Sequence, residues 1–174
     1  TSGNGHANEI VMKWANNVQG YNTTKEDGTG REILQERHTM TLKDGIFHTS
    51  VELVPLEDII CELWYGFQMF TAPYETVQYI DGTNRTRFDV KVASNSGDKT
   101  ASRVRFANSV KDICEIKVNT FYDLGRRDNV TGVKGIFSTN YGKAYFTIIN
   151  DSLSMVSGGV YSLEGEYIFR HGNF

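Results

Sequence analysis

The stretch Val51–Phe70, VELVPLEDIICELWYGFQMF, carries the densest run of apolar and aromatic residues in the chain. Pro55 divides it, because proline has no backbone N–H to donate to a strand ladder. From Ile59 to Phe70, core-type and other side chains alternate, which predicts one central β-strand covered on both faces. Its core-facing residues are predicted to be Ile59, Cys61, Leu63, Tyr65, Phe67 and Met69. Its opposite face is predicted to carry Glu62, Trp64, Gln68 and Phe70.

The residues just before this stretch predict a β-hairpin. Arg31–Leu42 and Ile46–Val54 both alternate with a period of two, and Lys43-Asp44-Gly45 between them is typical of a tight turn. The alternation puts three candidate side chains on the outer face of this hairpin, which are Arg37, His48 and Glu52.

Short alternating segments continue to the end of the chain, with turn residues about every ten positions. The sequence has 17 glycines and only 2 prolines, which favours many tight turns. These features predict an all-β fold, and the length of 174 residues favours a two-sheet antiparallel sandwich of the jelly-roll (concanavalin-like) type over an immunoglobulin domain. We expect a single domain over residues 1–174, with residues 1–8 flexible and a first strand at Glu9–Trp14.

Composition excludes some partners. The net charge is −3 and the basic residues are scattered, so we expect no nucleic-acid partner. No apolar run approaches the ~18 residues of a membrane span. The chain opens with TSGNG, without a charged and apolar leader. We therefore expect a mature or trimmed form, from which a signal peptide could have been removed, and an extracellular or cell-surface location.

Cysteines and metal-ligating residues give no complete signature. Cys61 and Cys114 both lie in apolar alternating segments, so they are either buried free thiols or one disulfide between strands. The four histidines show no metal spacing. We predict no cofactor, with calcium as the metal that loop oxygens would favour, although such residues are more often plain turn residues. The possible calcium ligands are Asp123, Asp128, Asn129, Asn150 and Asp151.

Pairing the hairpin with the central strand would gather polar and aromatic side chains on one concave face. The predicted binding residues are Trp64, Gln68, His48, Arg37 and Glu52. Sugars stack their apolar faces on aromatic rings, while planar amides, guanidinium groups and carboxylates bind the hydroxyls. The sequence therefore predicts a polysaccharide-binding module. The alternative is that Trp64 and Gln68 pack beneath a loop and bind nothing.

A second hypothesis is a jelly-roll polysaccharide lyase, in which an arginine or amide neutralises a uronate. His48 would act as base, Tyr145 or Tyr65 as acid, and Arg37 with Gln68 as neutralising groups. The order of three segments, REILQER, YGFQM and YGKAY, resembles that of the alginate-lyase jelly rolls, although the spacings differ and no segment matches in full. This resemblance adds slight support to the lyase hypothesis, and no catalytic residue is assigned.

Two further hypotheses complete the set. A glycoside hydrolase needs two carboxylates about 5–9.5 Å apart, for which Glu52 and Glu62 are the candidates. A structural or adhesive module would instead use the aromatic face to contact another protein. The sequence leaves open which glycan is bound, whether the protein is an enzyme, and its oligomeric state.

Overall fold

The computed structural model describes residues 7–80, 87–89, 101–122, 124, 134–138, 142–149 and 152–172. Within these residues the chain forms thirteen β-strands and one short 3-10 helix, Tyr21–Thr23. Every strand pair is antiparallel. The all-β prediction is confirmed.

The strands are numbered in chain order. They are β1 (Glu9–Gln19), β2 (Glu32–Lys43), β3 (Ile46–Pro55), β4 (Ile59–Cys61), β5 (Trp64–Phe70), β6 (Thr76–Tyr79), β7 (Arg87–Asp89), β8 (Arg103–Ala107), β9 (Asp112–Tyr122), β10 (Lys134–Ser138), β11 (Lys143–Ile149), β12 (Leu153–Met155) and β13 (Tyr161–His171). β1 extends beyond the predicted Glu9–Trp14, because its pairing with β2 continues as far as Gln19.

The described strands form one large sheet and two small ones. The large sheet has eight strands in the order β1-β2-β3-β13-β9-β8-β6-β7. A three-stranded sheet has the order β10-β11-β5, and β12 pairs with β4. The last strand, β13, lies between β3 and β9, so the end of the chain joins two sets of strands that are distant in sequence.

The hairpin forms as predicted. At its turn, Asp44 and Gly45 both have positive φ, 52° and 78°, which is the geometry that a two-residue hairpin turn requires. Arg37 lies directly opposite Glu52, and His48 lies on the same face four residues earlier in β3. β3 ends at Pro55.

The prediction of one central strand over Ile59–Phe70 is wrong. Ile59–Phe70 is divided into β4 and β5, which belong to two different sheets, and neither strand pairs with the hairpin. Glu62 and Leu63 separate the two strands, and Leu63 is 48% exposed rather than part of the core. The apolar run is continuous in sequence, but its two parts pair with β12 and β11, which come from the end of the chain.

A β-bulge in β5 also changes which side chains face the core. Gln68 pairs with Tyr145 and Tyr65 pairs with Thr147, so three positions along β5 oppose two along β11. A Cβ atom on Gly66 would overlap Leu163 Cδ2 in the core, while Phe67 is fully buried. Gly66 and Phe67 therefore both face inward. Tyr65 and Gln68, on either side of them, face outward.

The three-stranded sheet packs on one face of the large sheet, and the core lies between them. The largest fully buried side chains come from both sheets and include Tyr79, Phe67, Phe106, Phe146, Leu53 and Ile116. Gly165 permits the close approach of the two sheets, because a Cβ atom there would overlap the Lys117 carbonyl oxygen and would lie 2.6 Å from the Phe67 ring.

Both cysteines are free thiols, with Cys61 half-buried and Cys114 buried. Burial raises the pKa of Cys114 to about 12, so this thiol stays protonated at neutral pH. Among the described residues, no helix is long and apolar enough to cross a membrane.

Candidate functional site

The five predicted binding residues do not share one surface. Arg37, His48 and Glu52 lie on the outer face of the large sheet, whereas Gln68 lies on the outer face of the three-stranded sheet. The prediction that these residues share one concave face is wrong, because β5 pairs with β11 instead of with β3.

Trp64 lies at the junction of the two sheets. It is half-buried and packs against the hydrophobic core, and its Nε1 donates a 3.0 Å hydrogen bond to Glu36 Oε1. Glu36 is opposite Leu53 on the core side of β2. The indole therefore connects the edge of the three-stranded sheet to the large sheet, and its ring is not presented on the outer face where Gln68 lies.

The outer side of the three-stranded sheet carries an aromatic surface, here called the tyrosine face. Its residues are Tyr65, Gln68, Phe70, Lys143 and Tyr145. The Tyr65 and Tyr145 rings contact each other with centroids 4.7 Å apart and planes tilted by 38°. Phe70 is 67% exposed, and Lys143 Nζ lies 5.5 Å from the centroid of its ring. The bulge in β5 is what brings Tyr65 to this side.

The backbone at Gln68 is fixed from the core side. The Tyr167 hydroxyl accepts a hydrogen bond from Gln68 N–H at 3.1 Å and donates one to Gln68 C=O at 3.0 Å. Burial raises the pKa of Tyr167 to about 12, so the hydroxyl keeps its proton and can donate at neutral pH. The Gln68 side chain is exposed. A rigid backbone under an exposed amide favours binding, since little freedom is lost when a ligand is bound.

The tyrosine face has a defined limit. Thr147 lies opposite Tyr65, on the outer side of β11, yet it is fully buried. The open surface therefore runs from Tyr65 and Tyr145 toward Phe70 and Lys143. Along it are two phenol groups, an amide, a phenyl ring and an ammonium group. This set offers ring stacking and both hydrogen-bond donors and acceptors.

The outer side of the large sheet carries a different surface, here called the polar face. Glu166 lies at its centre: His48 Nδ1 is 3.4 Å from Glu166 Oε1, and Lys117 Nζ is 3.7 Å from Glu166 Oε2. Asn119 Nδ2 donates to Glu166 Oε1 at 3.2 Å. Asn119 is the extra residue of a bulge in β9, where the register with β13 shifts at Glu164.

A shallow depression of about 230 Å³ lies beside this cluster. Its lining is Thr39, Thr41, His48, Thr49, Ser50, Asn119, Glu164 and Gly165. Imidazole is the only ring in that set, and the Glu166 carboxylate is already paired with its neighbours. Arg37 is also engaged, since its Nε donates to Gln35 Oε1 at 2.7 Å. Among the residues that the structure describes, the polar face is thus a network of paired polar groups without an aromatic platform.

The residues named for the lyase hypothesis are divided between the two surfaces. Tyr145 lies on the tyrosine face, with Ala144 and Phe146 on either side of it pointing into the core. His48 and Arg37 lie on the far side of the large sheet, so the core separates them from Tyr145. The expectation that these three groups act on one sugar is wrong. Tyr65, the other predicted acid, does lie beside Tyr145.

The possible calcium ligands lie outside the described residues, and these are Asp123, Asp128, Asn129, Asn150 and Asp151. In the part of the chain that the structure describes, no group of three or more His, Cys, Asp or Glu side chains is placed to hold a metal ion.

Comparisons with known proteins give little similarity. No protein-family model matches this sequence, and neither does any curated protein. One solved structure that matches is the Slr1438 protein from Synechocystis sp. PCC 6803, with 6% sequence identity and a TM-score of 0.47. The alignment covers 98% of this chain and 65% of that one, so this chain spans about two thirds of its length.

Sequence reasoning named Gln68 and Tyr145 as candidates but did not predict that they lie on one surface with Tyr65 facing outward. The segments YGFQMF and YGKAY each contain a Tyr-Gly step and further aromatic residues, which is the one sequence signal for the tyrosine face. Strict alternation assigned Tyr65 to the core. Gly66 was the available warning, since a glycine inside a strand often marks a bulge.

Proposed function

We propose that this protein binds a glycan on the tyrosine face. The observation that carries the proposal is the contact of the Tyr65 and Tyr145 rings beside the exposed Gln68 amide. Aromatic rings bind the apolar faces of sugars, and a planar amide donates to one hydroxyl while it accepts from another. Trp64, His48, Arg37 and Glu52 are left out of this site, since none of them lies on the tyrosine face.

The form of the surface indicates the kind of glycan. The tyrosine face is the outer side of a sheet, whereas sites for single small molecules are clefts that enclose most of the ligand. A polysaccharide chain lying across the strands fits this surface better than a free monosaccharide does. Lys143 adds a positive charge at the end near Phe70, which favours glycans that carry carboxylate or sulfate groups.

The proposal includes the finer features expected from sequence. A secreted or surface location fits polysaccharide binding. A jelly-roll sandwich fits the long return of β13 to a place between β3 and β9, because such returns are characteristic of Greek-key connections.

Glycan-array binding, followed by affinity electrophoresis in the polysaccharides that bind, tests the proposal. We expect Tyr145→Ala and Gln68→Ala to weaken binding at least about tenfold each, which corresponds to a loss of roughly 1.4 kcal/mol. Arg37→Ala is the matched control on the polar face and should bind like the unmodified protein. Thermal unfolding of each variant separates loss of contact from loss of fold.

Two results would contradict the proposal. One is binding that survives Tyr145→Ala and is lost in Arg37→Ala, which would move the site to the polar face. The other is no binding across a broad panel of neutral and acidic polysaccharides, which would favour a structural or adhesive module.

A further inference from the structure

The face of the large sheet that carries the core continues past the three-stranded sheet onto β2 and β1. One row of paired residues crosses four strands in the order Trp14, His38, Val51 and Leu163. Val51 and Leu163 are 2% and 0% exposed, whereas Trp14 is 42% exposed. The row begins inside the core and ends at the solvent-exposed edge of the sheet.

Three large apolar side chains of β1 lie on this face, here called the apolar edge: Ile10, Met12 and Trp14. They are 48%, 41% and 42% exposed. The Trp14 ring stacks on His38 with centroids 4.7 Å apart and planes 3° apart. Exposed apolar side chains that form a continuous row are typical of protein interfaces.

β1 also has a free edge. It is the outermost strand of the sheet, and among the described residues no strand pairs with its other side. It has eleven residues without proline, and its one register shift lies at the end, between Val18 and Gln19. Natural sheets protect free edges with short strands, prolines or bulges. β1 lacks these over most of its length, so its outward N–H and C=O groups are available to another strand.

We propose that β1 pairs with β1 of a second copy of this chain, antiparallel about a two-fold axis perpendicular to the sheet. Glu9 and Lys13 lie on the same face of β1, and Val11 lies midway between them. An axis through Val11 places each Glu9 directly opposite Lys13 of the second copy. Opposite charges in direct cross-strand positions stabilise a sheet, and like charges destabilise it.

This register also brings together two of the three residues of the apolar edge. It places Ile10 opposite Met12 of the second copy, so the apolar row continues across the axis. An axis through Lys13 would instead set two lysines against each other. Because one strand supplies both members of every pair, the surface is self-complementary, which is what a two-fold interface requires.

The dimer goes beyond the proposed function and does not depend on it. The apolar edge and the tyrosine face belong to different sheets. An axis perpendicular to the large sheet directs both tyrosine faces toward the same side. Two sites on one side bind a long polysaccharide more tightly than one site does, without any new contact.

Sedimentation velocity tests the dimer. Pairing of one strand per copy buries less area than a standard interface, so the association should be weak and the protein concentration should cover about 1–100 µM. We expect a concentration-dependent dimer. Glu9→Lys and Lys13→Glu should each sediment as monomers, because like charges then face each other. Their equimolar mixture should recover the dimer, because the added cation of one variant faces the added anion of the other. Val156→Lys, at an exposed apolar residue outside β1, is the control and should remain dimeric.

The mixture also tests folding, because a misfolded variant cannot recover the dimer. A monomeric wild-type protein at about 100 µM would overturn the proposal. A dimer that both single charge variants retain would overturn it as well, since the contact would then lie elsewhere. A dimer that forms in the mixture but in neither charge variant alone, and that dissociates at high salt, would establish both the surface and the register.

Discussion

β1 and β13 are both eleven-residue strands of the same sheet, and their burial is very different. β13 has paired strands on both sides and the three-stranded sheet above it, and it buries Tyr161, Leu163 and Ile168. In the part of the chain that the structure describes, β1 has a neighbouring strand on one side only, and no side chain of β1 is buried. Alternation along a strand determines which side chains share a face. A second layer, supplied by another part of the chain, determines whether that face is dry.

Charged groups also differ in burial between the half of the sheet that lies under the three-stranded sheet, here called the covered half and containing β13 and β9, and the outer half, β1 and β2. In the covered half, Glu115 lies on the polar face opposite Arg105, and so faces away from the three-stranded sheet. It is 1% exposed and receives hydrogen bonds from Arg103 and, at 2.9 Å, from Arg105 Nε. In the outer half, Lys43 Nζ and Glu9 Oε2 are 3.9 Å apart and both are about half exposed. Burial strengthens the first group of charges and makes it costly to break, whereas water screens the second pair.

Glu115→Ala is expected to have a large effect on stability. Removing the carboxylate leaves two guanidinium groups close together, and breaking a buried ion pair in this way costs about 3–5 kcal/mol of unfolding free energy. Because both arginines are partly exposed, we expect the lower end of that range. Lys43→Ala, which removes the exposed pair, should change the free energy of unfolding by less than about 0.5 kcal/mol. Urea unfolding at neutral pH measures both. Equal losses would show that the two halves do not differ as their burial indicates.

Leu163→Ala and Leu42→Ala compare the two halves with identical chemistry. Leu163 is fully buried and touches the space that Gly66 leaves open, so its truncation should cost about 2–5 kcal/mol through lost burial and a cavity. Leu42 lies on the same face next to the exposed Ile10, and its truncation should cost less than about 1 kcal/mol. The same urea titrations give both values. A Leu42→Ala loss as large as that of Leu163→Ala would mean that another layer covers the outer half.

The smallest expected effect is a dependence of stability on pH. Desolvation raises the pKa of Glu115, but the hydrogen bonds and charges of Arg103 and Arg105 outweigh it and hold the pKa below the ordinary value of 4.5. A depressed pKa in the folded state gives stability that is fully present above about pH 4.5 and is lost as the pH falls through the folded value. One group contributes at most about 1.4 kcal/mol per pH unit.

The control for this prediction is Glu115→Gln, which has no charge to titrate. Below about pH 4.5, the wild-type protein should lose stability faster than the variant does, as measured by urea unfolding at several pH values. Parallel curves would show that Glu115 does not titrate at a depressed pKa. The difference between the two proteins is needed because the pKa of Asp112, beside His171, is also lowered.

Sequence reasoning was most successful where pairing is local. The hairpin of β2 and β3, its turn at Asp44 and Gly45 and the shared face of Arg37, His48 and Glu52 follow from alternation and turn chemistry. It failed where pairing is distant. Nothing local indicates that Ile59–Cys61 pairs with β12 while Trp64–Phe70 pairs with β11. The extent of the single domain, and the role of any residue in binding, remain predictions.

By itself, the sequence determined the all-β class, because short alternating segments and glycine turns leave no alternative of comparable burial. It also determined the composition of each strand face wherever alternation is unbroken. Only the tertiary structure decided that Trp64 ties the two sheets together, that Tyr65 faces outward beside Tyr145, and that Trp14 is exposed while Leu163 is dry. The physical reason is that bulges and layer packing depend on contacts between residues far apart in the chain, which a period of two cannot record.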